Sequence, residues 1–189
     1  MAMETPPVIL LDRDGVLNED RTDYVKSLAE WVWLPGVREA LARLHGAGVR
    51  VGVLTNQSCV NKGILAPETL EAIHGRMREE AAAAGGRIDA VFHCPHVDAN
   101  RCDCRKPLPG LIRQAAVHFG RDPGEMPFVG DAARDLEAAA AAGAPPVLVR
   151  TGKGGATEAG ALPAGTVVHD DLAAFVAALL GPAREEAAC

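Results

Sequence analysis

Residues 8–18 read VILLDRDGVLN. Four apolar residues run without a break into an acid, the pattern of a strand buried on both faces that stops where polarity begins. The event recurs along the chain. VRVGVLTN (49–56), IDAVFHC (88–94) and PFVGD (127–131) are further apolar runs, and PVLVR (146–150) and TVVH (166–169) add two shorter ones. Helical patterns fill the intervals at 37–48, 67–86, 107–120, 132–143 and 171–180. The second of these starts on Pro67 and ends on Gly85-Gly86, the usual asymmetry of helix ends. Strands alternating with helices predict an α/β fold, a Rossmann-like three-layer sandwich around a mostly parallel sheet. The 189 residues suffice for one domain over 1–189, with 181–189 expected to fray.

A formal net charge of -6 excludes a general basic surface, so no nucleic-acid partner is expected and an anionic substrate would need locally placed cations. No run of 18 apolar residues offers a membrane span. The opening MAMETPPVILLD has no charged region ahead of its apolar run, which argues against a signal peptide and for the cytoplasm. A monomer is the default expectation, since no large apolar stripe is left over. The one long loop without a pattern is TGKGGATEAGALPAG (151–165), read as flexible.

Ligands of such sheets bind beyond the carboxyl ends of the strands. Four polar clusters fall there: DRDG (12–15), TNQS (55–58), RKP (105–107) and GDAARD (130–135). Parallel strands would bring all four to one rim. Asp12 and Asp14 side by side repel, and Asp131 arriving from another strand makes this worse, so a hard divalent cation such as Mg²⁺ is the natural resolution. Lys106 supplies a positive charge and Thr55 a hydroxyl, the parts that a transferring phosphoryl group needs. One aspartate can then act as nucleophile and its neighbour as acid and base.

A second cluster is CPHVDANRCDCRK (94–106), with Cys94, His96, Cys102 and Cys104 inside eleven residues. The spacing is not that of a zinc finger, and unligated thiols are the bland alternative. The four N and S groups nonetheless match tetrahedral Zn²⁺ in kind and number. With every position filled by protein, such a zinc is structural, and it would brace Arg105 and Lys106.

DRDGVLN, TNQS, RKPLPG and GDAARD resemble, in order, the four signature motifs of the haloacid dehalogenase superfamily of phosphatases. The resemblance implies that Asp12 is the nucleophile and Asp14 the acid and base. It also implies that Thr55 and Lys106 hold the phosphoryl oxygens. Mg²⁺ would be held by Asp12, Asp14 (through its backbone carbonyl) and Asp131. Asp135 stands between a place behind the metal and an ordinary helix-surface carboxylate. Too few residues separate the motifs for a cap domain, so a capless enzyme is expected. DYV (23–25), the cysteine loop and VRTGKG (149–154) are similar to heptose 1,7-bisphosphate 7-phosphatases, which implies a phosphosugar substrate. Histidinol-phosphate phosphatases share the first motif and the zinc loop. They, a broader phosphosugar phosphatase and, from another class, a catalytically idle zinc-bound scaffold are the alternatives. Substrate contacts are expected from Arg13, Asp20, Thr55, Asn56, Gln57, Ser58, Arg105 and Lys106. Ala132 stands where some members carry a substrate-binding lysine.

Overall fold

The structure, a computed structural model, describes residues 7–181. Beyond Gly181 the expected frayed tail lies outside the described residues, as does most of the opening segment. Six strands form one sheet: β1 (Val8–Leu11), β2 (Arg50–Asn56), β3 (Ala90–Cys94), β4 (Phe128–Gly130), β5 (Pro146–Val149) and β6 (Val167–His169). Their order is β3-β2-β1-β4-β5-β6, and every pair is parallel. The helices are α1 (Val37–Gly46), α2 (Pro67–Ala83), α3 (Gly110–Phe119), α4 (Ala133–Ala142), α5 (Gly154–Glu158) and α6 (Leu172–Leu180).

Period-two alternation sorts the strand residues between two cores. Ile9 and Leu11 point into the layer with Leu41 and Leu44 of α1, Ile73 and Met77 of α2, and Val176 of α6. Val8 and Leu10 face the other way, onto Leu111, Ile112 and Phe119 of α3 and Ala138 and Ala139 of α4. The three-layer expectation is met, and the sheet is parallel throughout rather than mostly. Among the described residues no helix is long and apolar enough to cross a membrane.

Strand order matters most for the site. Connections run outward from β1 in both directions, so the topological switch point lies between β1 and β4, where a crevice opens at the carboxyl edge. Asp12 follows β1 and Asp131 follows β4. The two strands are in register at Leu11 and Val129, and the Asp12 amide donates to the Val129 carbonyl at 2.8 Å. The loop read as flexible is partly ordered. Gly154 opens α5 with its backbone so close to the Val149 carbonyl that a Cβ would stand 1.7 Å from the oxygen, and Arg150 pairs with Glu158 of that helix at 2.7 Å.

Candidate active site

The floor of the crevice holds three acids and one cation, Asp12, Asp131, Asp135 and Lys106, each at most 2% exposed. Lys106 Nζ lies 2.8 Å from Asp12 Oδ1 and 2.7 Å from Asp135 Oδ1, and it donates to the Leu54 carbonyl at 3.1 Å. All three ammonium hydrogens are thereby used. Burial opposes the lysine's charge, but Asp12 and Asp135 outweigh it and raise its pKa. One ammonium does not neutralise three carboxylates. Burial, with Asp135 next to it, pushes Asp12 up to about 8 despite Lys106. Burial also lifts Asp131 to about 6, although the Lys153 amide donates to it.

These observations fit a hard divalent cation. Asp12, Asp131 and Asp135 bring carboxylate oxygens within 4.8 Å of one another. Asp131 Oδ1 is buried without a hydrogen-bond partner among the described residues. Its other oxygen accepts from the Lys153 amide at 2.8 Å. Excess negative charge, oxygen donors and an unpartnered acceptor are what Mg²⁺ satisfies. Asp135, left open by the sequence, belongs to the floor: one oxygen meets Lys106 and the other accepts from the Ala132 amide at 3.0 Å.

Two glycines let the chain close over Asp131. A Cβ on Gly15 would stand 2.1 Å from Asp131 Oδ2, and one on Gly152 would stand 2.2 Å from the same atom. Thr151 ties the two loops by donating to the Gly15 carbonyl at 2.7 Å. Gly152→Ala also strains a residue at φ +56°. It is expected to displace the carboxylate and weaken Mg²⁺ binding about tenfold, as measured by calorimetry.

The Asp14 carboxylate points away from this cluster. Arg13 Nη2 donates to both its oxygens at 3.0 Å, and Asn18 and Gln57 each donate at 2.9 Å. Burial opposes its ionisation, but Arg13 and the other donors prevail and hold it below the usual carboxylate range. Of the residues grouped as metal ligands, Asp14 therefore offers only its backbone. Arg13, expected to touch substrate, is 1% exposed and spends its guanidinium on Asp14 and His74.

TNQS is largely a brace. Gln57 Nε2 donates to Thr55 Oγ1 at 2.8 Å, which leaves the threonine hydroxyl hydrogen free. The Asn56 side chain donates to the Lys106 carbonyl at 3.0 Å and accepts from the Lys106 amide at 3.1 Å, clamping the lysine's backbone. Ser58 Oγ stands 3.5 Å from the Tyr24 hydroxyl. Arg105 donates to the Asp98 carboxylate and, at 3.2 Å, to the His96 carbonyl. Asp20 pairs with Lys153 at 2.7 Å.

Above the floor a cavity of about 240 Å³ opens, lined among others by Asp14, Asp20, Arg21, Tyr24, Ser58, Arg105, Arg134 and Lys153. Among the described residues no cap shapes it; its walls are the 13–25 loop, Asn56, Gln57 and Ser58, Arg105 and residues after β4 and β5. Arg134 and Lys153 were not singled out as site residues from the sequence. Lys153 lies in VRTGKG, noted there without a role. Arg134 carries a legible signal, because a cation in the first turn of α4 opposes the helix dipole. Of the five cations lining the cavity, Arg13, Arg21, Arg105 and Lys153 have a carboxylate within 4 Å, whereas Arg134 has none that close among the described residues and feels Asp135, Asp12, Asp131 and Asp20 only at longer range. Its Nε is buried and unpartnered.

The cysteine loop closes on itself. Cys94 Sγ lies 3.1 Å from Cys104 Sγ and 3.7 Å from Cys102 Sγ, and His96 Nδ1 lies 3.6 Å from Cys94 Sγ and 3.4 Å from Cys104 Sγ. Zn–S bonds of tetrahedral zinc put sulfurs roughly 3.7 Å apart, so the four groups fit one ion. Burial and the two neighbouring thiols push Cys104 upward in its metal-free form. A cation at the centre would relieve that.

A family model described as HAD-hydrolase-like matches residues 103–175. The chain is 50% identical over 173 residues to a Pseudomonas aeruginosa protein named D-glycero-beta-D-manno-heptose-1,7-bisphosphate 7-phosphatase, covering 92% of this chain and 97% of that one. A Mycobacterium tuberculosis protein named for the alpha anomer is 39% identical over 145 residues, with 72% of this chain and 75% of that protein covered. In structure the chain resembles D,D-heptose 1,7-bisphosphate phosphatase from Bordetella bronchiseptica, complexed with magnesium and phosphate. That likeness has a TM-score of 0.90 and 49% identity, over 92% of this chain and 98% of that one.

Proposed function

We propose that this chain, which belongs to the haloacid dehalogenase-like phosphatase family, removes the 7-phosphate of a D-glycero-D-manno-heptose 1,7-bisphosphate through an aspartyl-phosphate intermediate. The observation that carries the reading is the floor: Asp12 buried 2.8 Å from Lys106, with Asp131 and Asp135 in reach of one cation. Lys106 and the Arg13 amide both donate to Asp12 Oδ1, which leaves Oδ2 as the attacking atom.

Asp12 Oδ2 attacks phosphorus, and the sugar oxygen leaves with a proton from Asp14. Water then cleaves the acyl phosphate, with Asp14 taking its proton. Asp14 rests ionised, ready as a base. The incoming phosphate, a like charge, raises its pKa and restores the acid form. The free hydrogen of the Thr55 hydroxyl serves a phosphoryl oxygen, and Lys106, whose hydrogens are taken by Asp12, Asp135 and the Leu54 carbonyl, adds its positive charge beside the phosphoryl group. Mg²⁺, when bound by Asp12, Asp131 and the Asp14 carbonyl with Asp135 behind them, offsets the charge gathered between carboxylates and phosphoryl group. Zn²⁺ on Cys94, His96, Cys102 and Cys104 serves structure. The reading places the enzyme in the cytoplasm as a monomer.

The relatives at 50% and 49% identity are named for the beta anomer, which supports that substrate here. Phosphate release with Mg²⁺ from both heptose bisphosphate anomers and histidinol phosphate, at equal concentrations, tests this. The beta anomer should turn over fastest, and a preference for histidinol phosphate would overturn the substrate assignment.

A bisphosphate brings a second anion that the floor does not serve, and unpaired Arg134 is the cation suited to it. Arg134→Gln is expected to raise KM for the bisphosphate about 10- to 100-fold, leaving KM for a heptose 7-monophosphate unchanged in steady-state assays.

A further inference from the structure

The buried face of α2 carries Leu70, Ile73, Met77 and Ala81, and among them His74, 1% exposed. A polar ring on an apolar stripe needs a partner. His74 Nε2 finds it in Arg13 Nη1, 3.3 Å away and 61 residues distant in sequence. A guanidinium only donates, so Nε2 must present its lone pair. The ring is therefore neutral, with its proton on Nδ1, which faces Glu71 Oε1 at 3.7 Å. Burial and the Arg13 charge push its pKa down to about 3, in keeping with that form.

Glu71, His74 and His93 also lie close enough to share a metal ion. That alternative fails on the same contact. A metal-bound imidazole donates its other N–H, whereas the other nitrogen of His74 faces a donor.

We propose that His74 is a positioning residue for Asp14. It accepts from one arm of Arg13 and so fixes the guanidinium whose other arm forks onto the Asp14 carboxylate at 3.0 Å and 3.0 Å. The Trp31 ring, 5.9 Å from the Arg13 carbon, closes the remaining side. Arg13 Nε is already buried without an acceptor among the described residues; without the imidazole Nη1 loses its acceptor as well, and the second unmet donor lets the arginine turn. Asp14 then loses its aim while keeping Asn18 and Gln57. The inference rests on Asp14 being the acid of the proposed reaction.

Leaving-group chemistry supplies the test. A sugar alkoxide needs a proton to depart, whereas p-nitrophenolate does not. In His74→Leu, kcat for the heptose bisphosphate should fall about tenfold, with KM within about twofold. For p-nitrophenyl phosphate, kcat should change less than about twofold. His74→Gln, which offers a carbonyl to Arg13, should restore most of the loss. Equal losses on both substrates would mean a structural role only and overturn the inference. In the unmodified protein, nitrogen NMR should find the Nδ1–H tautomer of His74; the Nε2–H tautomer would also overturn it. Asp14→Asn, run alongside, should hurt the sugar substrate far more than the aryl one. If it does not, the acid role of Asp14 fails instead, and the inference falls with it.

Discussion

Asp12→Asn is expected to abolish phosphate release, by at least about 10⁴-fold, while raising the melting temperature of the metal-free protein. The first effect is the loss of the attacking oxygen, for which no neighbouring group substitutes: Asp131 and Asp135 are bound to the Lys153 amide, Lys106 and the Ala132 amide. The second follows from charge. The folded-state pKa of Asp12 lies above its ordinary value of 3.8, at about 8, because burial and Asp135 oppose its ionisation. A raised carboxylate means that the folded chain binds a proton which the unfolded chain has released. Its contribution to stability therefore falls as pH rises from about 4 to about 8 and is flat outside that window. Asparagine keeps the shape and removes the charge, so the variant should lack this loss, and Lys106 keeps Asp135. Melting curves at pH 5, 7 and 8.5 in chelator would show the two proteins diverging as pH rises. With saturating Mg²⁺ the order should shrink or invert, since Asp12 then has its cation. Residual turnover within tenfold of the parent would remove Asp12 as nucleophile.

The second large effect is expected at the proposed zinc site. Stripping zinc, or Cys102→Ser, should lower the melting temperature by about 8–16 °C. An ion present at a thousand times its dissociation constant contributes about 4 kcal/mol, and a chain of this size shifts about 2–4 °C per kcal/mol. Kinetics should change in KM more than in kcat. Arg105 leans on the His96 carbonyl and on Asp98, both inside the loop, so it loses its support when the loop opens. Lys106 is held independently by Asn56 on its backbone and by two carboxylates on its ammonium. KM for the bisphosphate is thus expected to rise about tenfold, with Mg²⁺ binding unchanged by calorimetry. Zinc-free protein with unaltered melting and kinetics would refute the brace.

Both predictions start from residues that stand out in the sequence, and both take their sign from contacts that do not. Asp135 and Glu137 are acids two positions apart on one short helix, with nothing local to tell them apart. The structure buries the first on Lys106 and exposes the second. Arg13 is expected at the substrate from its place between two aspartates, and nothing in the sequence tells that one arm of its guanidinium meets a histidine on a helix that begins more than 50 residues later. The loop at 151–165 reads as flexible from its glycines, and those glycines are what let it press against Asp131.

By itself the sequence determined the layers, the parallel sheet, and the four strand ends at which chemistry could gather. Apolar period and strand-end polarity are local properties, written in runs of four to eight residues. It also marked two clusters of candidate metal donors by kind, since donor type needs no coordinates. Only the tertiary structure decided how the charges are paired: Arg134 open to the cavity, the Asp14 carboxylate held by Arg13 apart from the other acids, His74 behind Arg13. Burial and pairing are settled by neighbours tens of residues away. Even where the partner is adjacent in the chain, as Arg13 is to Asp14, the energy of the charge depends on distant groups that aim the pair.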